Sequence, residues 1–328
     1  MVSDRRMNGF SPTKLIDDEL HEVEEIMRHP LKDQQIELEK AVNYLLDSGG
    51  KRIRPLICLL VGNILGVNRT KLVKLAAAVE ILHTATLVHD DLIDGSLLRR
   101  GIPTLNSKWS PGATVLTGDF FFAKSASLAA ETESIPVIKL FAQTVATLVN
   151  GEVDQMFAKP CAVNTGGYFN RIYAKTASLF ETSAMAPALL EEKDELFSKA
   201  FQKYGMNVGM AFQVIDDILD FTGKQSNTGK PAGIDIRAGL VTLPVIYFIE
   251  QNPNDPIAKN MAEGKCPKSD ETIIDVIQAI QNSPSMDLAF KDAVNFIQKA
   301  KQSLDVVPDC IEKTALLELA SFITQRTL

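Results

Sequence analysis

The chain has 328 residues, of which 45% are hydrophobic and 23% are charged, as in ordinary globular proteins. Its formal net charge of −7 argues against a nucleic-acid binder that depends on a basic surface, so no nucleic-acid partner is expected. The four cysteines show no metal-ligand spacing and are predicted to be reduced thiols of a cytoplasmic protein.

The apolar segments predict no membrane span and no signal peptide. The sequence has no run of about 18 or more apolar residues, and its first 20 residues lack the apolar segment of a signal peptide. Composition leaves open a transient membrane contact during release of a hydrophobic product. No compositional break is visible, so we expect one domain over residues 1–328, with a flexible N-terminus of about residues 1–12.

A basic turn follows two predicted helices over residues 11–28 and 33–47. In the sequence SGGKRIRP, the two glycines allow a sharp turn before the next helix. Lys51, Arg52 and Arg54 cluster at the start of that helix, where the helix dipole disfavours cations unless an anion binds. Two interpretations stay open at this point, a solvated basic turn and an anion-binding site.

A long apolar helix, predicted to follow a shorter one over residues 55–65, ends in the acidic sequence HDDLIDGSLLRRG. Asp90 and Asp94 lie one helical turn apart, with Asp91 beside them, so like charges repel unless a cation binds. Oxygen ligands favour Mg²⁺ or Mn²⁺, and the adjacent Arg99 and Arg100 suit a phosphate group. This stretch predicts a metal–diphosphate site.

Two histidines lie on the same helix, predicted over residues 71–94. His83 is two turns before Asp90 on one face, so we expect it to make a polar contact with a bound ligand. His89 is interpreted as a structural residue, because a lone histidine near an apolar face is more often structural than a ligand.

The middle of the chain continues with helices over residues 111–130, 135–157 and 168–190. Three consecutive phenylalanines at residues 120–122 cannot share one face, so the first of these helices is predicted to be buried on several sides, inside the protein or at a subunit interface. Lys175 and Thr176 stand together in YAKTASLFET. From local pattern alone, Lys175 fits a surface lysine whose apolar stem packs on the protein.

A second acidic helix end repeats the first. The helix predicted over residues 194–221 ends in FQVIDDILDF, so Asp216, Asp217 and Asp220 have the spacing of the earlier aspartates. One DDxxD sequence is weak support, because acidic helix ends are common. Two copies, each ending an apolar helix, can place six carboxylates around one cavity mouth, as in bundle-core metal sites.

The remaining chain is also helical. Asp235 precedes a predicted turn at Gly239 and a helix to residue 250, and residues 253–269 are interpreted as a linker. Three terminal helices are predicted over residues 271–281, 287–304 and 311–324. Alternating strand patterns are essentially absent, so we predict an all-α fold.

Six stretches in order now identify a resemblance. They are GGKRIRP, HTATLVHDDLIDGSLLRRG, GDFFFAKS, YAKTASLF, FQVIDDILDF and GKPAGIDIRAGLVTLP. The chain resembles the trans (E-type) isoprenyl diphosphate synthases from about residue 35 to residue 250. The resemblance implies a single-domain bundle of long, mostly antiparallel helices around a deep central cavity, the isoprenoid synthase type, and a homodimer.

The resemblance also implies the reaction and a role for each residue. A prenyltransferase would condense an allylic diphosphate with isopentenyl diphosphate by ionisation, condensation and elimination. It would use three Mg²⁺ ions, with Mn²⁺ as a substitute. The metal ligands would be Asp90, Asp94 and Asp216, while Asp91, Asp217, Asp220 and Asp235 would act directly or through metal-bound water. The allylic diphosphate would be held by Arg99, Lys175 and Lys230. Isopentenyl diphosphate would be held by Lys51, Arg54, His83 and Arg100. The reacting region would be contacted by Thr176 and Gln213.

Product length is inferred from the two residues that lie five and four positions before Asp90. In the family these positions often form the floor of the product tunnel, and bulky aromatics there accompany short products. Ala85 and Thr86 are small, which predicts a medium- or long-chain product of about C30 to C50, with C20 as the alternative. The preferred allylic primer and any need for a second subunit stay open.

One position departs from the family pattern. Leu240 stands where the family often has a lysine that helps to bind diphosphate, which predicts altered affinity rather than inactivity. A terpene cyclase and a non-catalytic partner subunit are the less favoured alternatives, because the basic turn and all six aspartates are present.

Overall fold

A computed structural model describes residues 12–30, 35–99, 101–191, 195–222 and 232–325. The fold is all-α, as predicted, with about 78% of the described residues in helices. Within those ranges the strands form one antiparallel ribbon, in which Leu98–Arg99 (β1) pairs with Ile102–Pro103 (β2). The predicted flexible N-terminus falls, apart from Pro12, outside the described residues.

The helices follow a short 3₁₀ turn at Pro12–Leu15. They are α1 Asp17–Arg28, α2 Ile36–Asp47, α3 Ile53–Leu65, α4 Arg69–Ile93, α5 Leu105–Lys108, α6 Pro111–Ala130, α7 Ile135–Phe157, α8 Thr165–Ile172, α9 Ser178–Leu190, α10 Glu195–Thr222, α11 Ile234–Arg237, α12 Leu243–Gln251, α13 Pro256–Ala262, α14 Asp270–Gln281, α15 Ser285–Ser303 and α16 Ile311–Gln325. A π-helical turn, Tyr173–Ala177, joins α8 to α9.

Several helix starts are explained by local chemistry. The side chains of Asn68, Ser110 and Asn164 accept hydrogen bonds from the first turns of α4, α6 and α8, which satisfies backbone donors that have no partner inside the helix. Pro111 supplies the fixed φ angle of a first helical residue. The predicted linker over residues 253–269 is partly wrong, because Asp255 caps the short helix α13 within it.

Helix α4 lies in the core. Most of its residues from Leu72 to Ala85 are fully buried, and none of the described helices other than α4 is long and apolar enough to cross a membrane. Its most apolar window is 72% buried inside the protein, which is typical of a core helix. Its sequence pattern is therefore explained by packing.

Helix α6 packs along α4. Gly118 of α6 leaves no room for a side chain because the His89 ring lies there, and the Ser125 hydroxyl donates to the Ala78 carbonyl at 2.8 Å. Between these two contacts, Phe121 is buried on the same face of α6. The prediction that this helix is buried on several sides is only partly met, because Phe120 and Phe122 are partly exposed.

The chain divides into two compact units. Unit 1 comprises residues 1–144, 182–202 and 304–319, and unit 2 comprises residues 145–181, 203–303 and 320–328. The first aspartate motif belongs to unit 1 and the second to unit 2. The single domain inferred from the sequence stays a prediction, and the two halves of the candidate site are described separately.

Candidate active site

The first aspartate motif ends α4 in unit 1. Asp91 is buried, and both of its carboxylate oxygens accept a hydrogen bond from Nε of Arg99 at 2.9 Å. Asp94 is the C-terminal cap residue of α4, one turn beyond Asp90. The structure thus places Arg99, predicted as a phosphate ligand, on a carboxylate of the motif itself, while Arg100 lies outside the described residues.

The segment that carries Arg99 is fixed by the same aspartate. The main-chain oxygen of Asp91 accepts hydrogen bonds from the Ser96 amide at 2.9 Å and from the Asn106 side chain at 3.1 Å. On the other side of the ribbon, the Tyr44 hydroxyl of α2 donates to the Pro103 carbonyl at 2.5 Å. Asp91 therefore both holds the arginine and anchors the ribbon on which the arginine lies.

The basic turn before α3 divides its cations by role. Arg52 has a left-handed backbone with φ of 49°, and its guanidinium pairs with Glu24 and Glu80 at 3.1 and 3.0 Å. For Arg52 the solvated-turn interpretation is wrong, because this side chain links α3 to α1 and α4. Lys51 is exposed and Arg54 is half-buried, and their predicted contact with a diphosphate stays a prediction.

The histidines of α4 have different surroundings. His89 packs against α6, with Nε2 3.1 Å from the Val115 carbonyl and 3.6 Å from the Asp119 carboxylate, in agreement with its structural interpretation. His83 lies on a different face of α4 from His89 and is half-buried. Its predicted contact with a substrate stays a prediction.

Unit 2 contains the predicted Lys175 and Thr176 within the π-helical turn. Such a turn inserts one extra residue into a helix and is frequent at functional sites, because it changes the direction of the side chains that follow. Nζ of Lys175 lies 2.7 Å from the Glu152 carboxylate of α7. Lys175 is therefore not the surface lysine that its local sequence suggested.

Helix α10 approaches the π-helical turn very closely. A Cβ atom on Gly209 would lie 2.5 Å from Cα of Ala177, so only glycine fits there. Gln213 and Asp217 follow at intervals of four residues, on the same face of the helix. This contact brings both side chains beside the Tyr168–Ala177 segment.

A chain of hydrogen bonds results from this packing. The Thr176 hydroxyl donates to Oε1 of Gln213 at 2.6 Å, and Nε2 of Gln213 donates to Oδ1 of Asp217 at 2.8 Å. The hydroxyl of Tyr168, which is 1% exposed, donates to Oδ2 of the same carboxylate at 2.7 Å. Tyr168 was not among the predicted site residues, although its position two helical turns before Lys175 was available as a signal.

The last aspartate of the second motif organises a neighbouring turn. The two carboxylate oxygens of Asp220 accept the backbone N–H groups of Ile234 and Asp235, each at 3.1 Å. Asp220 thereby caps the short helix α11, which carries Asp235. The interactions seen for Asp220 are those of a helix cap, and its predicted contact with metal stays a prediction.

The buried acids of unit 2 repel one another. Burial, and after it the charge of Asp235, raises the pKa of Asp217. Burial followed by Asp220 raises the pKa of Asp235, while burial raises that of Asp220 against the opposing backbone hydrogen bonds. A bound cation would relieve this repulsion, so the carboxylate donor set fits a divalent metal of the Mg²⁺ type. Within the described ranges, no three His, Cys, Asp or Glu side chains form a ready-made metal cage; Mg²⁺ usually needs only one or two carboxylates, with waters and phosphate oxygens.

A cavity of about 630 Å³ in unit 2 adjoins this cluster. Arg171 lines this cavity and donates to the Val241 carbonyl at 2.7 Å. Its positive charge opposes the rise in the pKa of Asp217 and of Asp235 without cancelling it. Leu240, the position at which the family often has lysine, lines the same cavity, and its amide donates to the Asp235 carbonyl. Lys230 lies outside the described residues.

A disulfide bond joins two loops beside this cavity. Cys161 and Cys266 are bonded with their Cα atoms 5.5 Å apart, so the prediction of four reduced thiols is wrong for this pair. Cys58 and Cys310 are free, as predicted. The Cys161 amide donates to the Gly239 carbonyl at 2.8 Å, which fixes the loop against the turn after α11. Because the two cysteines are separated by 105 residues, sequence spacing gave no sign of the pair.

The predicted product-length residues lie on different faces of α4. Ala85 is fully buried on the face that carries Ala78 and His89, which both contact α6. Thr86 is partly exposed, and its hydroxyl donates to the His83 carbonyl at 2.8 Å within the helix.

Comparison with known proteins gives one family. The family model described as polyprenyl synthetase matches residues 35–280. The chain is 34% identical to octaprenyl diphosphate synthase of Haemophilus influenzae, covering 86% of each chain, and 35% identical to component 2 of heptaprenyl diphosphate synthase of Geobacillus stearothermophilus, covering 95% of this chain and 97% of that one. It is 32% identical to geranylgeranyl diphosphate synthase of Methanosarcina mazei, over 88% of this chain and 90% of that one.

The fold gives the same result. Polyprenyl synthase of Caulobacter crescentus, crystallised with calcium and isoprenyl diphosphate, superposes with a TM-score of 0.87 at 32% identity and covers 97% of each chain. The two aspartate motifs and the basic turn fall within the residues that the family model matches. The chain therefore belongs to the polyprenyl synthetase family, and it is a trans-prenyltransferase that makes a polyprenyl diphosphate.

Proposed function

We propose that the protein condenses an allylic diphosphate with isopentenyl diphosphate in a Mg²⁺-dependent reaction and elongates the product to about C30 to C50. The reaction proceeds by ionisation, condensation and elimination. The observation that carries the length is the small size of Ala85 and Thr86, which lie five and four positions before Asp90. Geranylgeranyl diphosphate, the C20 product, is the alternative, and relatives with longer and shorter products both resemble this chain.

The aspartates divide into two groups in this proposal. Asp90, Asp94 and Asp216 would hold three Mg²⁺ ions, whose positive charge would stabilise the leaving diphosphate. Asp91 and Asp217 each accept hydrogen bonds from the protein on both carboxylate oxygens, which suits them to act through their neighbours or through water. Asp220 acts in the same way by capping the helix of Asp235.

The basic residues bind the two diphosphates. Lys175, oriented by Glu152, holds the allylic diphosphate together with Arg99 and Lys230. Isopentenyl diphosphate is held by a second set of side chains: Lys51, Arg54, His83 and Arg100. Arg99 must exchange its pairing with Asp91 for a pairing with phosphate or share the two, since a guanidinium has donors enough for both.

The reacting carbon atoms meet neutral groups. Thr176 and Gln213 offer oxygen atoms that stabilise positive charge on the allylic fragment without forming a covalent bond. The released diphosphate serves as the base that removes the final proton. Apolar side chains such as Ala85 exclude water from the cation, which protects it from capture.

We propose that the protein is a homodimer. Val149, Val153 and Met156 of α7 are spaced four and three residues apart, and they are 50%, 43% and 60% exposed. Such a stripe of exposed apolar side chains along one helix is typical of a subunit interface. A second, different subunit is the alternative suggested by the heptaprenyl synthase component among the relatives. A cytoplasmic location, with transient membrane contact for product release, stays part of the proposal.

An assay with chromatography of the dephosphorylated product tests the function. Purified protein with Mg²⁺, farnesyl diphosphate and isopentenyl diphosphate should consume both and yield alcohols longer than C20, and chelation of the metal should stop turnover. A product that stops at C15 or C20 would refute the proposed length. Hydrocarbon released from the allylic substrate alone would indicate a cyclase, and inactivity restored by a second chain would indicate a partner subunit.

A further inference from the structure

Tyr168 lies at one end of the hydrogen-bond chain in unit 2, and Thr176 lies at the other. With Asp217 ionised, the atoms in between donate in a single direction. The carboxylate of Asp217, accepting on both oxygens, requires a donor from Gln213, so the amide must turn Nε2 toward it. Oε1 of Gln213 then faces Thr176 and accepts its hydroxyl proton.

This direction has a chemical consequence at Thr176. A hydroxyl has one proton, and here that proton is committed to Gln213. Any other group that approaches Thr176 therefore meets only the lone pairs of the oxygen. Such an oxygen attracts a positively charged carbon and gives nothing to a leaving group.

Tyr168 is the group that completes this arrangement. Its hydroxyl donates to the second oxygen of Asp217 at 2.7 Å, and the Tyr168 side chain is almost fully buried. Without it, one oxygen of a buried carboxylate would lack a donor, and the carboxylate could turn away from Gln213 to find one. The amide of Gln213 could then reverse, with its NH₂ group toward Thr176.

We propose that Tyr168 is a positioning residue that acts on Thr176 through Asp217 and Gln213, fixing the hydrogen-bond direction so that Thr176 offers the allylic cation only an acceptor oxygen. The inference rests on the proposed function in assigning Thr176 to the reacting region. It adds to that function a residue outside the aspartate motifs and a reason for the burial of Asp217.

Substitution Tyr168→Phe removes only the hydroxyl group. We expect kcat to fall about tenfold, as for loss of one hydrogen bond to a charged group, while KM for both diphosphates changes less than about threefold. The matched control is Tyr247→Phe, because the Tyr247 hydroxyl donates to Asp292 between α12 and α15, away from the motif. The control should keep the wild-type kcat. Equal kcat losses in the two variants would make the effect a general loss of stability and would overturn the proposal.

A double-mutant cycle tests the path of the effect. Thr176→Val keeps the side-chain shape and removes the hydroxyl, so it should lower kcat by about tenfold or more on its own. On that background, Tyr168→Phe should change kcat by less than about twofold, because the hydroxyl through which it acts is gone. Multiplicative losses would refute action through Thr176. If Tyr168→Phe does not fold, Tyr168→His, which keeps a donor but changes its position, takes its place in the cycle and should likewise change kcat by less than about twofold on the Thr176→Val background.

A binding measurement separates this inference from the proposed function. An allylic ammonium analogue, which carries the positive charge of the cation, should bind Tyr168→Phe about tenfold more weakly than wild type in the presence of diphosphate and Mg²⁺. A neutral allylic thiodiphosphate should bind both within about twofold. A wild-type protein that binds these ligands without turnover would contradict the proposed function alone, and equal losses for charged and neutral ligands would contradict the inference alone.

Discussion

Asp91 and Asp217 are the middle aspartates of the two motifs, and both carboxylates accept protein hydrogen bonds on each oxygen. Hydrogen bonds to a buried charge contribute about 1.5–3 kcal/mol each, so these side chains hold their partners firmly. The partner of Asp91 is a guanidinium, whereas the partners of Asp217 are an amide and a phenol. The same sequence pattern therefore supports a cation in unit 1 and a neutral hydrogen-bond chain in unit 2.

At the residue scale, Ala85 gives the most direct prediction about product. Substitution Ala85→Phe should shorten the longest product by at least one five-carbon unit, because under the proposal Ala85 forms the floor of the product tunnel and an added ring would raise that floor. Ala85→Leu should give an intermediate length. Both products are measured by chromatography after dephosphorylation, with Tm recorded because overpacking a buried site costs about 1–3 kcal/mol.

The buried Phe121 is the alternative candidate for the floor of the product tunnel. It lies on α6 between the contacts of Gly118 with His89 and of Ser125 with Ala78, alongside the same part of α4. An unchanged product length in Ala85→Phe, with the protein folded, would place the floor of the tunnel elsewhere than at Ala85. A shorter product with Ala85→Phe, together with an unchanged product length with Ala85→Leu, would agree with a floor that only a ring can reach.

At the element scale, the long helices were predictable because their apolar periodicity is strong. Helix α7 has the predicted bounds Ile135–Phe157, and α4 and α10 differ from prediction by a residue or two at each end. The π-helical turn was not predicted, because Tyr173–Ala177 fits an ordinary helix in sequence and is stabilised by tertiary contacts such as that of Gly209 with Ala177. The aspartates were found from spacing, but their partners come from other elements.

The disulfide is an element-scale feature that can be tested directly. In denaturant without reductant, two of the four cysteines should react with an alkylating agent, and all four should react after reduction. Because the bond closes a loop with a sequence separation of 105, the chain-entropy model puts its stabilisation at about 4–5 kcal/mol at most. Reduction should therefore lower the Tm by several degrees.

A matched variant checks that the loss comes from this bond. Cys161→Ser should lower the Tm without reductant to the value of reduced wild type, whereas Cys310→Ser should keep the response to reductant, because Cys310 is free. Alkylation of all four cysteines in the unreduced protein would show that the bond is absent in solution.

At the scale of the whole molecule, the exposed apolar stripe of α7 is unexplained by packing within the described residues. Helix α4 is similarly apolar, but its apolar side chains are buried within the protein, and this burial explains its composition. Val149, Val153 and Met156 expose 50%, 43% and 60% of their surface, so a partner is needed to remove them from water. The sequence alone could not distinguish a helix buried in the core from a helix with an exposed apolar stripe, since both α4 and α7 show apolar residues at helical spacing.

The double variant Val149→Lys with Val153→Lys should convert a dimer to a monomer, because two buried, unpaired ammonium groups cannot be accommodated at an apolar interface. Light scattering coupled to size exclusion should give twice the chain mass for wild type and the chain mass for the variant, at concentrations in the micromolar range. The control is Ile274→Lys, which places one lysine on α14 at a side chain that is 48% exposed, and it should stay dimeric. A monomeric wild type, or a variant that stays dimeric, would contradict an interface on this stripe. The Tm of the variant should be unchanged, which would show that the dimer is lost without unfolding of the chain.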